Sequence, residues 1–93
     1  MTTVDREQTA NNWASRGFSC DLWVDSPGQR WEDFTHPTDE IVTVVEGTME
    51  FEIEGEIHHP KAGEEILIPA GSMHSARNIG DSTARWLYGY SRD

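Results

Sequence analysis

Three residues of this chain, His36, Glu40 and His74, combine chemically useful side chains with informative spacing. The first two lie in the segment FTHPTDE, residues 34–40. If that segment is extended, Phe34, His36 and Glu40 share parity and point to one side. Val42 and Val44 continue the same face into an apolar interior. An acid and an imidazole aimed at the same interior as two valines must pair, bind something or face a water-filled cavity. His74 is the other candidate, just after the turn Pro69-Ala70-Gly71. Two imidazoles and one carboxylate meeting inside a barrel form the ligand set of a facial-triad metal site with open positions.

Such a meeting needs elements that bring distant stretches of chain together. From Phe18 onward, short runs rich in Val, Ile, Thr and aromatic residues alternate with Gly and Pro, an all-β pattern. The pattern predicts strands over Phe18–Val24, Gln29–Thr35, Glu40–Val45, Thr48–Glu54, Glu56–His59, Glu65–Ile68, His74–Asn78 and Thr83–Tyr90. Ser26-Pro27-Gly28, Glu46-Gly47, Glu54-Gly55, Pro60-Lys61-Ala62-Gly63, Pro69-Ala70-Gly71 and Gly80-Asp81 supply turns between them. So many short strands in one chain imply a sandwich, jelly roll or small barrel. Within Thr48–Glu54, Met49, Phe51 and Ile53 share one face and Glu50, Glu52 and Glu54 the other, which predicts one buried and one wet face. The last strand carries bulk on both faces: Trp86, Tyr88 and Tyr90 on one, Arg85 and Leu87 on the other. One face therefore needs a cover, either the N-terminal segment or a second subunit. Residues 1–17 are polar around Trp13 and are expected to form an arm or short helix stopped by Gly17, with the β-barrel over 18–93.

With 93 residues the chain makes one domain. A core this small gives modest stability unless a disulfide, metal or partner reinforces it. Cys20 is the only cysteine, so no internal disulfide can form, and it is expected to be a small buried hydrophobe. Seventeen acidic residues against seven basic ones give a net charge of −10. That surface repels phosphate backbones and anionic membranes, which argues against nucleic acid and membrane partners. No run is long and apolar enough to span a bilayer, and MTTVDREQTANNW has no signal-peptide character, so a cytoplasmic location is expected. The small core, the two-sided last strand and the four tryptophans predict a homodimer.

Two spaced motifs give the chain a resemblance to the cupin superfamily. The family's second motif, G-x5-P-x-G-x2-H-x3-N, is matched in residues and spacing by Gly63-EEILI-Pro69-Ala70-Gly71-Ser72-Met73-His74-SAR-Asn78. The first motif ends in H-x-H-x3–4-E-x6-G, and His36-PTD-Glu40-IVTVVE-Gly47 matches its second histidine, glutamate and glycine. Phe34 stands where the family has its first histidine, which leaves three protein ligands instead of four. The resemblance implies an all-β double-stranded β-helix, or jelly-roll barrel, and a homodimer. It also implies a divalent ion (Fe, Mn, Ni or Zn) at His36, Glu40 and His74. Phe34, Val42, Val44, Met49, Phe51 and Asn78 are expected to line the pocket, with Asn78 also bracing a turn. Dioxygenation, isomerisation or decarboxylation of a small organic molecule would follow. The alternatives are a metal-binding or small-molecule-binding module without turnover, and a metal-free barrel in which Glu40 bonds a histidine. His58 and His59, at a strand end, and Arg77 and Arg85 are read as surface groups.

Overall fold

The computed structural model describes residues 4–92. An N-terminal helix, α1 (Arg6–Ser15), starts at Asp5, whose carboxylate accepts the Gln8 backbone N–H at 3.0 Å. The strands follow as β1 (Asp21–Asp25), β2 (Arg30–Phe34), β3 (Glu40–Glu46), β4 (Met49–Ile53), β5 (Glu56–His58), β6 (Glu65–Ile68), β7 (His74–Asn78) and β8 (Ala84–Tyr90). They form two antiparallel four-stranded sheets in the orders β1-β8-β3-β6 and β2-β7-β4-β5, packed face to face as a jelly roll. The first strand begins later than the sequence pattern predicts. Phe18 makes only an isolated bridge to Ser91, and Ser19 donates its N–H to the Tyr90 carbonyl.

Between the sheets, Val42, Val44, Met49, Phe51, Ile68, Ala76, Ala84 and Trp86 form the core. Residues of β3 and β8 that face away from this core are buried as well. Ile41 and Leu87 pack against Trp13 of α1, with Phe18, Cys20, Leu22 and Val45 around them. The helix is therefore the cover that the two-sided last strand requires. Gly89 makes its approach possible: a Cβ there would lie 1.9 Å from the Ser19 carbonyl oxygen and 3.0 Å from the Trp13 ring. Trp13 Nε1–H donates to Glu65 at 2.9 Å, and Arg16 pairs with the same carboxylate at 3.1 Å.

Among the described residues, no helix covers the outer face of the second sheet. There Arg77 of β7 lies under Glu32, Glu50 and Glu52, with N–O distances of 2.6, 2.9 and 2.7 Å. The alternation of β4 thus holds, but its glutamates are only partly wet, because they converge on one guanidinium. Arg85 pairs with Glu46, and His59 with Glu50. Neither arginine faces the interior cavity. Among the described residues, no helix is long and apolar enough to cross a membrane.

Candidate metal centre

His74 opens β7, and Glu40 opens β3, both with side chains turned between the sheets. His36 arrives differently. Residues 35–39 are a loop, so period-two alternation does not orient the imidazole. Backbone hydrogen bonds do: Gly71 N–H donates to the His36 carbonyl at 2.8 Å, and Ala70 N–H donates to Asp39 Oδ1 at 2.8 Å. Gly71 turns at φ +78°, a left-handed conformation that glycine adopts without strain. The Pro69-Ala70-Gly71 turn thus clamps the His36 loop beside the strand that carries His74.

One donor atom from each of His36, Glu40 and His74 lies within 4.8 Å of the others. Glu40 Oε1 is 3.6 Å from His36 Nε2 and 3.5 Å from His74 Nε2. Both separations exceed good hydrogen-bond lengths, and Glu40 Oε1 is a buried oxygen with no hydrogen-bond partner. Direct pairing of Glu40 with a histidine therefore does not describe the site. Ligands about 2.0–2.2 Å from one ion stand about 3–4 Å apart, close to the spacing seen here. His74 Nδ1 lies 3.1 Å from the Ser72 carbonyl, an acceptor, so Nδ1 is the donor of that bond and Nε2 is the ring nitrogen turned toward Glu40. Burial pushes the Glu40 carboxyl up to about 7. Burial, and then the neighbouring His74, holds the His36 imidazole below its ordinary value, which favours the neutral, ligating form. The orphaned oxygen, the two imidazole nitrogens and the spacing fit a divalent cation.

These donors line a cavity of about 340 Å³. Its walls are Trp23, Trp31, Phe34, Phe51, Trp86, Tyr88 and Tyr90, with Ile68 and Ala76 filling between the rings. Of the six residues expected at the pocket, Phe34 and Phe51 lie along this wall. Four do not. Val42, Val44 and Met49 face the same interior but lie in the close-packed core, off the cavity wall. Strand alternation fixes which face a side chain takes and leaves its depth along the barrel open. Asn78 is buried and occupied with backbone: Nδ2 donates to the carbonyls of Asp25, Ser26 and Ser82, and Oδ1 accepts from Gly80 N–H. It braces the turns and reaches no cavity.

The sequence reading missed most of the aromatic wall. Trp31 and Phe34 have opposite parity, yet both line the cavity. A bulge between them allows this, with Asp33 at φ 59° and its N–H bonded to Ser75 Oγ at 2.9 Å. Phe34 pairs in register with His74, its ring centroid 6.2 Å from His74 and 6.4 Å from His36. The missing first histidine is thus replaced by a ring at the edge of the site. Tyr90 hydroxyl lies 3.4 Å from His36 Nε2 and is pushed up to about 12 by burial, then by Glu40 and Tyr88. Asp25, also missed, is buried beneath the tryptophans.

A jelly roll with two histidines and a glutamate lining an interior cavity defines a class of small barrel proteins. The chain belongs to the cupin family, whose cupin domain profile matches residues 21–90. It is 37% identical over 76 residues to "Polyketide synthase CurC" of Streptomyces cyaneus, covering 81% of this chain and 49% of that protein. It is 34% identical over 65 residues to "5-nitrosalicylic acid 1,2-dioxygenase" of a Bradyrhizobium species, covering 70% of this chain and 31% of that protein. The chain therefore spans no more than about half the length of these relatives. Among solved structures, oxalate oxidase in complex with the substrate analogue glycolate superposes with a TM-score of 0.73 at 27% identity. That match covers 85% of this chain and 44% of the other.

Proposed function

We propose that this cupin holds a divalent metal at His36, Glu40 and His74 and acts on a small, planar organic molecule stacked in the aromatic cavity. The observation that carries the reading is the buried Glu40 oxygen, unpartnered and within 3.6 Å of two imidazole nitrogens. An uncompensated buried carboxylate is costly, and a cation among the three donors offsets that cost. When bound, the ion supplies Lewis acidity or redox chemistry at open coordination positions. The chain supplies the rest. Its rings bind and orient a flat ligand, the aromatic wall offers an apolar surface, and Tyr90 places a hydroxyl beside the His36 end. Two relatives named for a polyketide synthase and for a dioxygenase of a nitrosalicylic acid support conjugated, oxygenated substrates and reactions of the dioxygenase type. Isomerase and decarboxylase chemistry fit the same donors.

Phe34 favours a second reading, binding without turnover, because it removes a ligand from the four-donor pattern and places a phenyl ring at the site.

Metal analysis of protein purified without an affinity tag, followed by loading with Fe, Mn, Ni or Zn, tests the metal. Near-stoichiometric metal is expected, and His74→Ala should lose most of it together with the thermal stabilisation that the ion gives. A His74→Ala protein that keeps its metal would sink the assignment. Oxygen uptake by the iron- or manganese-loaded protein with aromatic diols and diketones separates turnover from binding. The same reading includes a homodimer. Half-exposed Trp23 and Val24 on edge strand β1 and Leu67 on edge strand β6 support it, and light scattering at twice 10.5 kDa is expected.

A further inference from the structure

Asp25 closes β1, only 2% exposed, directly behind the aromatic wall. Its Oδ1 accepts Nε1–H from Trp23 and from Trp31, both at 2.9 Å, and its Oδ2 accepts Nε1–H from Trp86 at 3.0 Å. The three indoles come from β1, β2 and β8, so one carboxylate ties the two sheets together at the cavity. Asn78 holds the Asp25 carbonyl from the other side. Bonds from N–H groups to a carboxylate are stronger and shorter than neutral ones and fix ring orientation. Trp23 meets Trp31 edge to face at 5.6 Å and Tyr88 at 6.0 Å, so fixing the indoles also fixes the rings beside them.

A buried acid is an expensive way to fill space, since apolar residues of similar volume are often as stabilising. Its effect here is on the chemistry of the wall. All three indole donors of the cavity are already engaged, so the tryptophans present ring surface and no free N–H.

We propose that Asp25 is the positioning residue that sets the ligand preference of the cavity: by engaging the three indole donors, it makes the wall select flat conjugated molecules over saturated ones of equal size. This rests on the reading of the cavity as a site for a small planar molecule.

The test compares 2-naphthol with decahydro-2-naphthol on the metal-free chain by calorimetry, in wild type and in Asp25→Asn. An asparagine cannot accept three N–H bonds and turns its own NH2 toward an indole donor. Wild type is expected to prefer 2-naphthol by at least about tenfold, and Asp25→Asn by less than about threefold, an effect that loss of stability alone would not produce. Equal binding of the two probes by wild type overturns the planar-ligand reading and this inference with it. A wild-type preference that persists in Asp25→Asn overturns the role of Asp25 alone. Wild type provides a second readout should the variant fail to fold. Hydrogen exchange at the Trp31 and Trp86 indoles should stay within about twofold when 2-naphthol binds, because Asp25 keeps both donors. A tenfold loss of their protection would show the ligand drawing a donor off the carboxylate, and the proposal would fall.

Discussion

The two halves of the barrel interior are built from the same strands and behave differently. In one half Val42, Val44, Met49 and Ala84 fill the space between the sheets with aliphatic groups that need no polar partner. In the other, large rings and three polar donors frame a cavity of about 340 Å³. Neighbouring positions on one strand contribute to both: Glu40 to the cavity, Val42 and Val44 to the core. The difference shows that the sheets supply stability at one end so that the other end can hold an unsatisfied carboxylate and open space.

Disturbing the packed half should have the largest effect. Met49→Ala opens a cavity among core side chains and should cost about 2–5 kcal/mol in urea denaturation. Metal retained per folded chain should not change. A variant that loses metal while losing little stability would erase the division between the halves.

Next comes Glu40. In the metal-free fold its carboxyl rises from 4.5 to about 7. The protonated form is therefore the favoured one in the fold. Its contribution to stability is fully present below about pH 4.5 and is lost as pH rises through about 7. Metal-free protein should accordingly lose on the order of 3 kcal/mol from this group between pH 4.5 and 8. Glu40→Gln should flatten that slope in denaturant titrations with a chelator present, and should fail to retain metal. Wild-type metal affinity should move the opposite way and strengthen as pH climbs, since the proton competes with the ion. An identical pH slope in wild type and Glu40→Gln would remove Glu40 as its source.

The smallest effect tests the boundary of the site. Phe34→His puts an imidazole in register with His74 and should tighten zinc binding by about tenfold, or 1.4 kcal/mol, in competition with a chromogenic chelator. Weaker zinc binding in Phe34→His would place that position out of reach of the site.

How much of this was legible beforehand differs between the halves as well. The strands were, because alternation such as Met49, Phe51 and Ile53 against Glu50 and Glu52 is a local property. The cover for β8 was also legible as a need, and α1 meets it through Trp13. Depth was not: Val42, Val44 and Met49 face inward, yet which inward residues reach the cavity depends on register between strands far apart in sequence. Trp31 and Phe34 share the cavity through a bulge at Asp33, which no pattern of apolar residues announces. The parity argument for His36 assumed extended chain, and a clamped loop brings the imidazole inward instead. Asp25 falls between the strand expected to end at Val24 and the turn at Ser26-Pro27-Gly28, where no pattern marks it. The available signal was indirect: four tryptophans in a small chain need acceptors for their indole N–H groups.

The bond from Gly71 N–H to the His36 carbonyl has a consequence for the order of events in a newly made chain. The three donors come from a loop before β3, from β3 itself and from β7, so an intermediate lacking the 69–71 turn exposes at most two of them in place. An ion held as proposed would find only a weak foothold early, and the full set of donors would be in place once the last strands have docked. Loading would then act as a checkpoint on completion of the barrel, holding finished molecules and passing over unfinished ones.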